Sequence, residues 1–175
     1  MRTIAGVLPL QARSATLDED VVGVIEQLYP RLFRYARFRL ERAEAEDATS
    51  AALEQMWRVR GKYAAERGAL LPWLQRVGYN AIRDAVRRVR RRSTTIAIDD
   101  LQLADSRLDP GLAASLIDLR VALARLSESD AEIIGLRYGL SLSNDETAAL
   151  VGRTPAAVAT ATHRALHRLR EEMNR

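Results

Sequence analysis

Apolar residues recur at every third or fourth position through most of this 175-residue chain. That spacing places them on one face of an α-helix, whereas a half-buried strand alternates with a period of two. Residues 18–42, 43–63 and 73–92 all show it, and Pro30 predicts either a kink or the start of a second helix in the first of them. A content of 47% apolar residues with only 5% aromatic ones agrees with a largely helical protein. We therefore predict an all-α fold.

Helix start and stop signals are clearest near the C-terminus. Ser143 and Glu146 have the spacing of a capping box, and Gly152 has the position of a helix stop. Thr154 then reads as the N-cap of a longer helix, with Pro155 at its first position. A short helix, a tight turn and a longer helix form the helix-turn-helix pattern, although any αα-corner has a similar sequence.

Charge is distributed unevenly along the chain and suggests where its domains lie. Residues 93–118 contain five Asp and a single Arg, with Asp-Pro-Gly near the end of the segment. We therefore predict two small helical domains, 21–92 and 119–175, joined by an acidic linker over 93–118. For residues 1–20 we expect disorder, with an extra contact to the domain as the alternative.

The composition excludes several classes of function. The chain has no cysteine, which excludes disulfides and thiolate metal sites and fits a reducing cytoplasm. The apolar run broken by Pro9 is short, and no stretch approaches the roughly 18 apolar residues of a membrane span, so we expect no signal peptide and no membrane insertion. His163 and His167 are spaced i, i+4 without an apparent third ligand. We expect no metal, no cofactor and no catalytic site, since no nucleophile elbow or phosphate-binding glycine loop occurs.

Residues 73–92 include seven arginines, and Asp84 is the only acid among them. On a helix, one stripe is predicted to face inward: Leu74, Val77, Ala81, Ala85 and Val89. A different stripe is polar: Arg76, Asn80, Arg83, Arg87 and Arg90. Arg88, Arg91 and Arg92 add charge at the C-terminal end, where the helix dipole favours cations. A solvated basic face is the ordinary explanation. Unpaired arginines beside an Asn and the aromatic residues Tyr63, Trp73 and Tyr79 favour instead a nucleic acid with exposed bases.

Three segments together resemble one family. They are "AEDATSAALEQMW", "PWLQRVGYNAIRDAVRRVRRR" and "LRYGLSLSNDETAALVGRTPAAVATATHRALHRLRE". In this order and spacing they resemble the extracytoplasmic-function group of the sigma-70 family, over roughly residues 21–172. These bacterial proteins have two helical domains and confer promoter recognition on RNA polymerase.

The resemblance implies a role for each matching position. The surface that docks on the polymerase clamp would comprise Glu46, Asp47, Leu53, Gln55 and Trp57. The loop 61–72 would hold a flipped base, and the −10 element would be bound by Tyr63, Arg76, Asn80, Arg83, Asp84, Arg87, Arg88 and Arg91. The −35 element would meet Arg153, Thr154, Ala156, Ala157, Thr160, His163, Arg164, His167 and Arg168. The implied partners are the RNA polymerase core, promoter DNA and, as in many members, an anti-sigma factor. The acidic linker would thread near the RNA-exit path.

Several positions depart from the family pattern. Ser50 and Leu53 replace a usual Gln and Phe on the docking helix, and Thr147 stands where Ile is usual. Ala159 and Ala161 stand where Lys and Arg are usual in the last helix, whose inward side is predicted to be Val158, Thr162, Ala165 and Leu169. Without an Arg near the start of that helix, guanine readout should be weak. Thymine-methyl contacts and DNA shape would carry more of the specificity.

These features predict a cytoplasmic sigma factor that binds core polymerase and directs promoter recognition, melting and initiation. The main alternative is a stand-alone helix-turn-helix regulator whose first domain mediates interactions. A protein-interaction module that sequesters polymerase without reading DNA is a third class, and the Arg stripe with Asn80 argues against it.

Overall fold

The structure is a computed structural model that describes residues 10–92 and 110–174. Within those ranges the chain is helical with no strand, which confirms the all-α prediction. Seven α-helices run in chain order: α1 Leu10–Arg37, α2 Arg42–Val59, α3 Leu70–Arg92, α4 Pro110–Arg125, α5 Glu128–Ile134, α6 Asn144–Val151 and α7 Pro155–Met173. Two short 3-10 turns, Arg60–Lys62 and Ala65–Arg67, connect α2 to α3, and a π-helical turn, Gly135–Gly139, follows α5.

The first three helices pack around one apolar core. Leu28 and Leu32 of α1, Met56 of α2, and Leu74 and Ile82 of α3 are fully buried in it. α1 continues through Pro30, so no second helix begins there. Burial of these side chains contributes about 1.5–3 kcal/mol each, which outweighs the single backbone hydrogen bond that a proline removes.

The N-terminal segment corrects one expectation. Residues 10–20, for which the sequence favoured disorder, are the first turns of α1, and residues 1–9 lie outside the described chain. Leu17 packs against the first core, and the Asp18 carboxylate lies 2.7 Å from Nε of Arg60 at the end of α2. These two contacts hold the segment to the domain, which is the alternative that the sequence left open.

Helical structure begins earlier in the second half of the chain than predicted. α4 begins at Pro110, so residues 110–118 are helical, whereas residues 93–109 lie outside the described part. The Asp-Pro-Gly sequence was interpreted as part of a linker, yet a proline is well suited to the first helical position because its missing N–H would be unpaired there anyway.

In the second domain, the local signals form as predicted. The Ser143 hydroxyl accepts from the Glu146 N–H at 3.1 Å, and the Glu146 carboxylate accepts from the Ser143 N–H at 2.7 Å. Gly152 ends α6 with φ +70°, a left-handed conformation that favours glycine. The Thr154 hydroxyl accepts from the Ala157 N–H at 3.2 Å, with Pro155 at the first position of α7. A second core lies between α4, α5 and α7.

The two domains are in contact. Leu136, Leu140 and Leu142 follow α5 in the second domain, yet they are buried in the core of the first. The π-helical turn lies against α1, where the position of a Cβ on Gly139 would be only 2.8 Å from Cα of Tyr35. Among the described helices, none is both long and apolar enough to cross a membrane.

Candidate nucleic-acid interface

The arginine stripe of α3 forms as the spacing predicts. Arg76, Asn80, Arg83 and Arg87 follow one another by three or four residues, so they share one side of the helix. The predicted inward face needs correction, because Val77, Ala81 and Val89 are only half-buried. The fully covered side is wider and packs mainly in the first core: Leu74, Gln75, Gly78, Tyr79, Ile82, Ala85 and Val86.

Three arginines of the stripe face the second domain. The Arg76 guanidinium donates to the Ala149 carbonyl of α6 at 3.0 Å. Arg83 and Arg87 line a polar crevice of about 170 Å³, whose far wall includes Glu132 and Arg153. In the free chain, the stripe is therefore turned toward the second domain.

Tyr79 lies at the centre of this contact. Its hydroxyl donates to Oε1 of Glu132 at 2.6 Å, and the guanidinium of Arg83 lies 5.3 Å from its ring centroid. Burial, followed by the Glu132 hydrogen bond, raises the pKa of Tyr79 to about 12. Since Tyr79 is 1% exposed, it is not the accessible stacking aromatic that the sequence suggested.

The remaining predicted −10 residues of α3 lie on its more open side. Asp84, Arg88 and Arg91 are exposed, and Asn80 is half-buried. Asp84 is 4.0 Å from Nε of Arg83, and Nε of Arg91 donates to the Arg87 carbonyl at 3.3 Å. These side chains are accessible from solvent at the edge of the stripe.

The loop before α3 is folded back onto the start of that helix. The Tyr63 hydroxyl donates to the Gly68 carbonyl at 2.9 Å, and its ring centroid is 5.6 Å from that of Trp73. Gly68 has φ +136°, which favours glycine strongly. α3 begins at Leu70, so the predicted loop ends three residues earlier than expected, and Pro72 lies in the first turn of the helix.

α7 presents an open face. All nine predicted −35 residues are exposed: Arg153, Thr154, Ala156, Ala157, Thr160, His163, Arg164, His167 and Arg168. The predicted inward residues Val158, Thr162, Ala165 and Leu169 are all buried, which confirms that side. Ala161 is also buried, so its departure from the family pattern lies inside the domain. Thr147 is fully buried in α6.

Two residues of the α7 face already have acidic neighbours. Arg168 pairs with Asp130 at the N-terminus of α5, and His167 Nδ1 lies 3.5 Å from Glu171. Burial of Asp130 raises its pKa. Hydrogen bonds from Ser127 and Arg168 lower the pKa by more, so that the Asp130 pKa lies below its usual range. Across the described ranges, no three His, Asp or Glu side chains come together as a metal-binding group.

The predicted clamp-docking residues do not all share one face of α2. Glu46, Leu53 and Trp57 are seven and four residues apart and lie on one stripe, with Asp47 beside it. Gln55 lies on the opposite side of the helix, where its side-chain oxygen accepts from Arg58 at 3.1 Å. The structure therefore brings four of the five residues toward one surface.

An open groove of about 420 Å³ adjoins this stripe. Trp57 forms one wall, and α1 contributes Asp18, Glu19, Val22, Gly23 and Glu26. The guanidinium of Arg60 lies 3.9 Å over the Trp57 ring. Sequence reasoning missed the contribution of α1. The available signal was that Asp18, Val22 and Glu26 follow one another by four residues.

Family comparisons match the two domains separately. Residues 24–92 match the Sigma-70 region 2 model and residues 116–169 match the Sigma-70, region 4 model. The first match ends with α3, and the second includes the helix-turn-helix.

Curated relatives carry related names. The chain is 33% identical over 141 residues to the RNA polymerase sigma factor CarQ of Myxococcus xanthus, covering 78% of each protein. It is 28% identical over 174 residues to the ECF RNA polymerase sigma factor BldN of Streptomyces coelicolor, covering 94% of this chain and 65% of BldN. It is 30% identical over 175 residues to SigD of Mycobacterium tuberculosis, covering 91% of this chain and 82% of SigD.

Two solved structures share the fold. CnrH in complex with the cytosolic domain of CnrY superposes with a TM-score of 0.66 at 19% identity, covering 91% of this chain and 94% of that one. The sigma factor RpoE in complex with the anti-sigma factor NepR from Bartonella quintana gives 0.60 at 23% identity, covering 89% and 95%.

Proposed function

Because this chain belongs to the sigma-70 family, as a sigma factor of the extracytoplasmic-function group, we propose that its two domains divide promoter recognition between α3 and α7. It is the subunit that gives RNA polymerase its promoter specificity. The observation that carries the division is that each matched region contains one basic helix surface. We assign the first domain to α1–α3, which extends the predicted 21–92 at its N-terminus, and the second to the region from α4 onward.

We assign the −10 element to α3 and the loop before it. Arg76, Arg83 and Arg87 supply guanidinium groups in a row, which suits successive phosphates and base edges of a single strand. Tyr63 and Trp73 form an aromatic wall at the start of α3, 5.6 Å between centroids, against which a flipped base can stack. Capture of one strand offsets the cost of unpairing, so no ATP is required.

We assign the −35 element to the open face of α7. Its N-terminal turn offers Ala156, Ala157 and Thr160, and the Thr160 hydroxyl already donates to the Ala156 carbonyl at 3.0 Å. Apolar contact with thymine methyl groups is therefore what this turn offers, rather than bidentate readout of guanine. Arg153 and Arg164 are exposed cations suited to the phosphates on either side.

For the polymerase-docking surface we propose the α2 stripe, with Glu46, Asp47, Leu53 and Trp57, and exclude Gln55. An exposed Trp beside acidic residues suits a partner surface that is basic and partly apolar. The groove formed with α1 extends this surface. We place the protein in the cytoplasm beside the polymerase, with no catalytic activity of its own. We also propose an anti-sigma partner, on the ground that the two structural relatives were solved in complexes.

The two alternative functions, a stand-alone regulator and a sequestering module, each leave some of these observations unexplained. A self-sufficient helix-turn-helix protein needs only the second domain for DNA, which leaves the Arg stripe and the region 2 match unexplained. A sequestering module has no use for nine exposed residues on α7.

The direct test uses purified protein and sigma-free bacterial core polymerase. We expect co-elution in size-exclusion chromatography and promoter-dependent transcripts from the mixture. Trp57→Ala should weaken co-elution, whereas Gln55→Ala on the opposite side of α2 should not. Core binding without initiation would indicate sequestration, and no co-elution with specific duplex binding would favour the stand-alone regulator.

Strand capture is tested in the reconstituted holoenzyme. Arg83→Ala and Asn80→Ala should each reduce open complexes about ten- to hundredfold, from the roughly 1.5–3 kcal/mol that a hydrogen bond to a charged group contributes. Arg125→Ala, an exposed arginine that pairs with Glu172, is the matched control and should leave opening unchanged. For the −35 element, Ala157 or Thr160 is substituted and the sequence preference is measured again. An unchanged preference would contradict the proposal that these residues contact thymine methyl groups.

A further inference from the structure

Arg60, which follows α2, contacts residues of two helices. Its Nε lies 2.7 Å from the Asp18 carboxylate of α1, and its Nη1 donates to the Trp57 carbonyl of α2 at 2.9 Å. Its guanidinium carbon lies 3.9 Å from the centroid of the Trp57 ring. The backbone N–H of Arg60 donates to the same Trp57 carbonyl. One arginine therefore connects the indole of α2 to a carboxylate of α1.

The guanidinium restricts the indole. Trp57 is 39% exposed, and a tryptophan at the surface of a helix would otherwise sample several rotamers. Arg60 lies over one face of the ring, where the ring quadrupole attracts a cation. The indole also forms one wall of the groove of about 420 Å³, opposite Val22 and Gly23 of α1. The ring is therefore held at this groove in the free protein.

Asp18 determines where the guanidinium of Arg60 lies. An arginine side chain is long and flexible, and ordering it costs side-chain entropy. The Asp18 carboxylate accepts from Nε of Arg60 in a charge-assisted hydrogen bond, which offsets that cost. Leu17 packs against the first core and anchors this turn of α1. Asp18 precedes residues 24–92, which match the Sigma-70 region 2 model, so a segment before the match contributes to the conformation of Trp57.

Stability alone does not account for this ion pair. The side chains of Asp18 and Arg60 are 37% and 31% exposed. An ion pair with that much access to water contributes little to the free energy of folding, because solvent screens the attraction and two flexible side chains must be ordered. What the pair adds is a fixed orientation of the indole.

We propose that Asp18 and Arg60 are positioning residues for polymerase docking, because they fix the Trp57 indole in the orientation that the core polymerase contacts. Their effect passes through Trp57 rather than through contacts of their own with the polymerase. A side chain that is ordered beforehand binds more tightly, since its entropy is lost on folding and not on association. This inference rests on the assignment of Trp57 to the docking surface, and it adds the residues that prepare that side chain.

Two substitutions remove the positioning contacts separately. Asp18→Asn removes the carboxylate charge at nearly constant size, and Arg60→Gln removes the guanidinium. The control for the first is Asp20→Asn, which makes the same change of charge at an exposed position about 200° around α1. The control for the second is Arg58→Gln, at an exposed arginine whose side chain contacts Gln55. Asp18→Glu tests rescue, because it restores a carboxylate.

The first measurement follows the indole in the free protein. The chain contains two tryptophans, so Trp73→Phe leaves Trp57 as the only one, and this background is used for fluorescence alone. Time-resolved fluorescence anisotropy reports motion of the indole on the nanosecond timescale. We expect Asp18→Asn and Arg60→Gln to increase the amplitude of the fast decay. The two controls and Asp18→Glu should leave that amplitude unchanged.

The second measurement is the affinity for sigma-free core polymerase, with Trp73 intact. We expect Asp18→Asn and Arg60→Gln each to raise the dissociation constant about two- to tenfold, the range expected when one flexible side chain must be ordered on binding. Asp18→Glu should recover the wild-type affinity. In a Trp57→Ala background, Asp18→Asn should cause no further loss, because the indole through which it acts is gone.

Unchanged anisotropy in Asp18→Asn would overturn the positioning role, because the pair would not hold the indole. A loss of core affinity by the same factor with and without Trp57 would also overturn it, since Asp18 would then contact the polymerase directly. If Trp57→Ala weakens core binding but Asp18→Asn does not, positioning is wrong and the docking assignment stands. If Trp57→Ala keeps full affinity, the docking assignment fails and the positioning role fails with it.

Discussion

The two basic surfaces of this chain differ in their contacts with the rest of the molecule. All nine residues of the α7 face are exposed, whereas three arginines of the α3 stripe face the second domain. The α7 face is presented by a local motif whose caps and turn lie within a few residues of the helix start. Arg76 and Arg87 of the α3 stripe are exposed and Arg83 is half-buried, and the side of α3 that carries them contacts residues about 50 to 70 positions away in the sequence. Accessibility of a recognition helix is therefore a property of the whole molecule, even where its sequence pattern is plain.

The largest expected effect breaks the contact that makes the two surfaces unequal. Leu136→Ala removes a fully buried side chain that the second domain inserts into the first core. We expect the free energy of unfolding to fall by about 2–5 kcal/mol, measured by urea denaturation. Met173→Ala, at a position 46% exposed, should change it by less than about 0.5 kcal/mol. Equal effects of the two variants would show that the domains do not pack together in solution.

Gly152→Ala tests the local motif that presents α7. The φ of +70° at this residue strains an L side chain, so stability should fall by about 1–2 kcal/mol. Gly23→Ala in the middle of α1 is the matched control and should instead stabilise by up to about 1 kcal/mol. Thermal unfolding followed by circular dichroism measures both. A neutral Gly152→Ala would mean that the turn adopts another conformation.

The acid sensitivity of the second domain should depend on Asp130, which joins α5 to Arg168 of α7. The folded-state pKa of Asp130 is lowered, so its stabilisation is present above the unfolded value of about 3.9 and is lost as the pH falls through the folded value. Asp130→Asn should therefore be less stable at pH 7 but lose less stability between pH 5 and 3.

Denaturation of wild type and Asp130→Asn at a series of pH values measures this difference. The same pair of residues, Asp and Asn at position 130, is then compared in an Arg168→Met background. The difference between their pH profiles should be smaller there, because one of the groups that lower the Asp130 pKa is gone. Parallel pH profiles for wild type and Asp130→Asn would refute the linkage.

The smallest effect compares the two surfaces directly in the free protein. Arg164→Ala should lower the slope of log affinity against log salt for nonspecific duplex DNA by about one, as expected for one lost phosphate contact. Arg83→Ala should leave that slope unchanged, because Arg83 is half-buried and lines a crevice against the second domain. Equal losses of slope would show that the α3 stripe is already open to DNA.

Much of the candidate site could be predicted because its signals are local. The polar stripe of α3 and the inward side of α7 follow from helical spacing alone. The predicted buried face of α3 is displaced by one or two residues from the observed one. Gly78, Tyr79 and Val86 are covered by neighbouring helices, and apolar spacing within α3 alone does not predict which neighbours cover it. Gln55 is different, because helical spacing alone places it on the side of α2 opposite Leu53 and Trp57, so the sequence could have excluded it from the docking stripe.

By itself the sequence determined the all-α fold, the capping box at Ser143, the turn at Gly152 and the two basic helices. These features depend on hydrogen bonds and apolar spacing within one or two helical turns. Only the tertiary structure decided that Leu136 is buried in the first core and that Glu132 meets Tyr79. Such pairings bring together residues distant in sequence, and their free energy depends on how whole helices pack rather than on any local pattern.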